Sequence, residues 1–316
     1  MRLRITHDTR YRYEPPVLTA VHMTHLTPPP TRCQDRLDAR LQVHPQPASI
    51  TESLDIYRNV RTFFEIASPH DELLVRASSL VETHAPDPVG STLAWDAVRD
   101  SFVYHVGAEW HPAAEFIYPS HYVHPGEVFA DYARPSFPPG RPLIDAAREL
   151  MQRVHADFTY ASRSTEINTP AAEALAQRRG VCQDFSHVML ACLRSLGLPA
   201  RYVSGYLLTQ PPPGQPRLVG SDASHAWVAV FLPDVAAQHG GHGWYDLDPT
   251  NDRHGWGAPG EDFVRLAVGR DYADISPMRG VIHGGAGHEL DVGVTVEPCD
   301  AASLAEAPPL PTDPFR

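Results

Sequence analysis

The spacing of apolar residues changes near Pro142, and that change constrains the fold more than any other feature. Before it the chain reads in twos. Met1 to Tyr13 alternates Leu3, Ile5, Tyr11 and Tyr13 against charged neighbours, as a half-buried strand does. Asp38–Val43, Glu52–Ile56, Val60–Ile66 and Leu73–Glu82 are further strand candidates. With turn signals between them, they predict a β-sandwich-like unit over residues 1–135. Pro28-Pro29-Pro30 and Pro45-Gln46-Pro47 belong at edges and connections, because proline has no N–H to give a ladder. Pro135-Ser136-Phe137-Pro138-Pro139-Gly140 reads as a linker. Beyond it, Leu143, Ala147, Leu150, Met151 and Val154 recur at helical spacing and predict an amphipathic helix to Phe158. Thr169-Pro170 supplies an N-cap and a first helical residue for a short helix that Gly180 ends. Helices followed by strands make the class α+β, with a second unit over residues 140–298. Its last stretch, alternating Leu290, Val292, Val294 and Val296, is a strand free to join either unit. Residues 299–316 read as a flexible tail.

Composition supports two folded units: the chain has 316 residues, 42% hydrophobic and 9% aromatic. Its net charge of −12 argues against nucleic acid and an anionic membrane as partners, since phosphate binding needs a basic footprint. No apolar run reaches the ~20 residues of a membrane helix, and Met1 to Asp8 lacks a signal-peptide core. Cys33, Cys182, Cys192 and Cys299 are widely spread with no CxxC pair, which speaks against a disulfide framework and for a reducing cytoplasm.

The segment richest in chemistry is Gly180 to Gly197. Phe185, Val188, Met189, Cys192, Leu193 and Leu196 trace the buried face of a helix that Gly197 stops, which puts Cys192 in the core and Cys182 in the first turn. The positive end of the helix dipole favours a thiolate there, and free backbone N–H groups can meet an oxyanion. Cys33 and Cys299 lack partners. A thiolate nucleophile needs a base, and the base an orienting group. Ser221 to Leu232 reads as a polar loop feeding a strand with His225 at its mouth. Gly243 to Asp248 reads as a second strand that Pro249 ends. Hairpin pairing brings the second strand's carboxylates to His225, and Asp246 and Asp248 compete because alternation puts both on one face. A thiol on a helix followed by His and Asp on strands is the papain-type order.

Four blocks together carry a resemblance: Gly180-Val181-Cys182-Gln183-Asp184-Phe185, Leu193 to Tyr206, His225-Ala226-Trp227, and Trp244 to Asn251. In this order and spacing, with 43 residues from Cys182 to His225 and 23 more to Asp248, the chain resembles the bacterial transglutaminase-like family. The core match runs over about residues 140–255. The proline-rich half is similar to the N-terminal domain such bacterial proteins often carry. The resemblance implies a papain-like, transglutaminase-like catalytic core. In that core Cys182 is the nucleophile, His225 the acid–base group and Asp248, rather than Asp246, the residue that orients it. It further implies a cysteine-dependent amide-processing enzyme that works through a thioester on peptide or protein substrates carrying glutamine or another amide. Transglutaminase-like acyl transfer and peptide or amide hydrolysis both fit.

Gln183, Trp227 and Trp244 are candidate substrate contacts, although tryptophans on strands also serve as core. Asp184 suits the helix dipole, and Tyr160 is a weaker oxyanion candidate. His239-Gly240-Gly241-His242 and His283 to Glu289 lack the spacing of a metal motif, so neither a metal nor another cofactor is expected. The alternative to an enzyme is a binding or scaffolding module on the same fold.

Overall fold

The computed structural model describes residues 1–161, 168–209, 223–285 and 287–299. Ser221, Asp222 and all of the predicted tail except Cys299 lie outside them. Strands β1 (Arg2–Thr27), β2 (Gln34–His44), β3 (Ser49–Leu54), β4 (Val60–Ile66) and β5 (His70–Thr83) pair antiparallel in the order β2-β5-β1-β4-β3. β1 runs twice as far as the alternation up to Tyr13 foretells. Its ladders are interrupted between Arg12 and Val17, around Pro15 and Pro16, and resume beyond them. A residue without an N–H is tolerated where a ladder is already open, so the strand bends without ending. Because β1 serves as a shared spine, the expected sandwich-like unit is one hydrogen-bonded sheet. The other proline clusters fall in the β1–β2 and β2–β3 connections, as expected.

Helices α1 (Trp95–Ser101) and α2 (Glu127–Ala133) follow, then α3 (Leu143–Asp157), whose Leu143, Ala147, Leu150, Met151 and Val154 are buried as the spacing predicts. The two-residue strands β6 (Thr159–Tyr160) and β7 (Arg179–Gly180) pair in parallel and bracket α4 (Ala171–Gln177). α4 starts one residue later than expected, with Pro170 rather than Thr169 at the N-cap. It ends at Arg178 in the left-handed conformation (φ 53°), two residues before Gly180. α5 (Cys182–Ser195) is buried all round from Asp184 to Arg194, rather than on one face. α2, α3 and α4 pack around it together with strands β8 (Ala200–Leu207) and β9 (Ser224–Phe231). Trp95, Val98, Phe129 and Phe137 belong to this same core, so the stretch read as a linker contributes a buried ring.

After α6 (Pro233–Gln238), strands β10 (Trp244–Asp248), β11 (Arg253–Trp256) and β12 (Phe263–Gly269) complete a five-stranded sheet, ordered β11-β10-β9-β8-β12. α7 (Tyr272–Ile275) leads back to β13 (Met278–Gly284) and β14 (Gly287–Pro298), which line the remaining edge of β1. The two sheets are fastened through side chains. β12 is an edge strand, and an edge leaves N–H and C=O groups unpaired. Gln34 accepts the Arg265 N–H at 2.8 Å and donates to the Arg265 carbonyl at 2.8 Å, while Asn59 does the same for Val268 at 2.8 and 2.7 Å. Two amide side chains thus stand in for a sixth strand.

Candidate active site

The turn before α5 fixes Cys182. Val181 is the N-cap in extended conformation, and Asp184, three residues on, accepts its N–H at 2.8 Å. Asp184 therefore satisfies one of the donors left open at a helix start. Gly180 makes room for that carboxylate: a Cβ there would lie 2.5 Å from Asp184 Oδ2 and 2.6 Å from Asp184 Cβ. Gly180→Ala should displace Asp184, cost about 1–2 kcal/mol of stability as lost caps do, and slow alkylation of Cys182. An iodoacetamide rate equal to wild type would show that the cap does not set the position of the sulfur.

Alternation on the paired strands β9 and β10 builds two rungs. His225 Nε2 donates to Asp248 Oδ2 at 2.8 Å, and one step along, Trp227 Nε1 donates to Asp246 Oδ1 at 2.7 Å. Each of the two competing carboxylates has its own partner, and Asp248 is the one on the histidine. Asp248 is fully buried and also accepts from Asn251 Nδ2 at 2.7 Å and from the Thr250 N–H at 2.9 Å. Those two contacts come from the turn after Pro249, so the residue that ends the strand also starts the cage around Asp248. Beneath the histidine the Trp227 ring stacks at 6.0 Å between centroids. Gly205 on β8 admits that ring, since a Cβ there would stand 2.5 Å from its edge.

With Nε2 committed to Asp248, the other ring nitrogen of His225 is left for the hydrogen bond it shares with Cys182. Burial opposes a charge on His225. The Asp248 carboxylate and the hydrogen bonds to Asp248 and Cys182 outweigh it, and the pKa is pushed up to about 10. An imidazolium held between a sulfur and a buried carboxylate can hand a proton to a group bound at the sulfur.

These residues open on a cleft of about 370 Å³. Gln183 and Tyr160 line it. Trp227 does not: it is 1% exposed and sits behind the histidine. Trp244 faces another cavity, with the Arg201 guanidinium over its ring at 4.2 Å. The opposite wall comes from the first sheet, through His7, Thr9 and Tyr11 of β1 and Leu290 and Val292 of β14. His7 Nδ1 meets the Tyr206 hydroxyl at 3.0 Å, tying β1 to β8. Sequence reasoning found no chemistry in the N-terminal half because these positions carry only the alternation of a strand. No Asp, Glu, Lys or Arg is among the described lining residues, nor do three His, Cys, Asp or Glu side chains among the described residues converge to hold a metal.

Family models match the chain twice: the transglutaminase-like superfamily over residues 131–249 and the bacterial transglutaminase-like N-terminal region over residues 3–82. An uncharacterized protein of Mycobacterium tuberculosis is 39% identical over 309 residues, 96% of this chain and 95% of that protein. A protein-glutamine gamma-glutamyltransferase of Pseudomonas aeruginosa is 30% identical over 127 residues, 39% of this chain and 18% of that one. Among solved structures, a candidate cysteine protease from Cytophaga hutchinsonii shares the fold with a TM-score of 0.69 at 21% identity, covering 95% of this chain and 92% of the other.

Proposed function

Because the chain belongs to the transglutaminase-like superfamily, we propose that Cys182, His225 and Asp248 form a catalytic triad that transfers acyl groups from amides of peptide or protein substrates through a thioester. The observation that carries this reading is the placement of one histidine between the half-buried Cys182 sulfur and the fully buried Asp248. The thiolate attacks the amide carbonyl, the S–C bond forms, and the C–N bond breaks as the imidazolium gives its proton to the departing amine. His225, now neutral, takes a proton from the second nucleophile as the thioester opens. With an amine the result is transamidation; with water it is deamidation or cleavage. Asp248 accepts the Nε2–H throughout and keeps the ring turned toward sulfur. The four cysteines are unpaired, which supports action in a reducing compartment such as the cytoplasm.

Among the described residues the cleft lining carries no Asp, Glu, Lys or Arg, and beyond Cys182 and His225 it suits an uncharged segment on both sides of the amide. Incubation with a library of glutamine- and lysine-containing peptides, read by mass spectrometry, separates the routes. Cross-links with loss of ammonia mark transfer, a gain of about one mass unit marks deamidation, and shorter fragments mark cleavage. Substrates with apolar flanks should react at least tenfold faster than those flanked by charge. A library that passes unchanged, together with Cys182 alkylation indifferent to His225→Ala, would favour the scaffolding reading.

A further inference from the structure

A second cavity, of about 880 Å³, shares no lining residue with the cleft among the described residues. It lies between the loop after β1, the β3–β4 connection and strands β8, β10, β11 and β12. Its charge departs from that of the whole chain. Among the described lining residues, five arginines, Arg32, Arg36, Arg58, Arg201 and Arg265, stand against the single acid Glu52, in a protein of net charge −12.

Among the described residues, the two inner arginines find no acceptor for their Nε–H groups. The Nε atoms of Arg201 and Arg265 are shut off from solvent and have no hydrogen-bond partner, and Asp246 Oδ2 behind them also lacks one. Two guanidiniums therefore share one carboxylate that bonds to neither through these atoms. Burial and the neighbouring Arg265 draw Arg201 down to about 9, against the pull of Asp246. Such a pair calls for added negative charge. The flat faces are already used: Arg201 lies over Trp244 at 4.2 Å and Arg32 over Trp256 at 3.8 Å. Arg32 already donates to Asp87; what remains on Arg201 is the N–H edge, which matches oxyanions in the guanidinium plane.

We propose that this cavity binds a small phosphorylated molecule whose phosphate oxygens bridge the N–H edges of Arg201 and Arg265, with Arg36 and Arg58 meeting further charge at the rim. A planar carboxylate occupies one fork. A tetrahedral phosphate offers oxygens to two forks at once and brings close to two negative charges, which is the surplus the pair carries. The volume exceeds what inorganic phosphate fills and falls in the range of ligand sites, about 300–1,000 Å³.

Pyrophosphate is the probe, titrated into the full chain by calorimetry and by thermal shift, with citrate as the carboxylate control. Saturable, salt-sensitive binding is expected, with a raised Tm and affinity at least tenfold above that for citrate. The exposed pair Arg36→Ala/Arg58→Ala should weaken binding at least threefold without changing the ligand-free Tm. Arg201→Lys, which keeps the charge but removes the fork, should weaken it at least tenfold. A wild-type rate of Cys182 alkylation shows that each variant is folded; should Arg201→Lys fail that check, the rim pair decides. No saturable heat at millimolar pyrophosphate, equal affinity for citrate, or rim variants that bind as wild type would each overturn the site.

Discussion

Cys182→Ala should abolish turnover and every covalent acyl adduct while leaving Tm within a degree or two of wild type. Cys182 is half-buried at the first turn of α5, packed against the rim of the core formed by Phe185, Val188, Met189 and Cys192 rather than within it, so its loss opens little cavity. Asp248→Asn tests the other end of the proposed relay. Asp248 is fully buried and accepts three hydrogen bonds, from His225, Asn251 and the Thr250 N–H. An amide in its place presents an N–H to a ring nitrogen or to Asn251 and removes the charge that helps hold the histidine up near 10. The ring then favours the wrong tautomer, a change that costs about 10⁴ in rate in triads of this logic. Since the three groups act as a unit, Cys182→Ala combined with Asp248→Asn should be no slower than Cys182→Ala alone. Single-turnover mass spectrometry of the acyl-enzyme, with kcat and KM for the best library peptide, measures both. An Asp248→Asn enzyme within tenfold of wild type would remove Asp248 from the relay, and residual acylation in Cys182→Ala would remove Cys182.

What the sequence disclosed and what it hid divide along the range of the interactions. α5, β9 and β10 were legible because Gly180, Gly197 and Pro249 punctuate them, although the burial of α5 extends beyond the face its spacing marks. The proximity of Cys182, His225 and Asp248 was legible because they lie on neighbouring elements of one chain segment. Local pattern left Asp246 and Asp248 tied; the pairing register separates them by giving Trp227 to one and His225 to the other. The wall of the cleft was hidden. His7, Tyr11, Leu290 and Val292 line the cleft because β1 and β14 are docked on the second sheet, through an apolar cluster that Leu3, Ile5 and Val294 share with Tyr206, Val264 and Leu266 and through the amides of Gln34 and Asn59, contacts between residues far apart in sequence. The arginine cavity was hidden for the same reason, since its lining comes from both sheets. Trp244 and Trp227 were ambiguous because a strand tryptophan reads alike in a groove and in a core; burial, not sequence, put Trp227 behind the histidine.

Acid should unfold this protein between about pH 6 and pH 4, well above the range set by ordinary carboxylates. His7, His22 and His187 are 2%, 5% and 2% exposed, and burial lowers each from 6.5 to about 4. Asp8 opposes the shift at His7, His70 adds to it at His22, and Asp271 opposes it at His187. Burial outweighs the two carboxylates. His22 has no hydrogen-bond partner at either nitrogen and stacks on Phe64 at 5.2 Å, while His187 stacks on Tyr122 at 5.5 Å. A histidine depressed on folding carries no penalty above its unfolded pKa of 6.5. As pH falls the unfolded chain takes the proton first, so the penalty grows and is complete below about 4. Each such group costs roughly 3 kcal/mol in full, about 10 for the three, against a usual total stability of about 5–15. His225 works in the opposite sense: its pKa is raised, so its stabilisation is complete below 6.5 and is lost only as pH climbs toward 10, and it leaves the acid slope untouched. Denaturant melts at half-unit pH steps should give a slope approaching three protons near pH 5. His22→Phe, which keeps the stack on Phe64, should reduce that slope by about one proton and move the midpoint to lower pH. A protein still folded at pH 3.5, or a His22→Phe slope equal to wild type, would mean that these rings find partners or water when they charge. His7 lines the cleft and holds β1 to Tyr206, so peptide turnover should fall along the same limb as the structure.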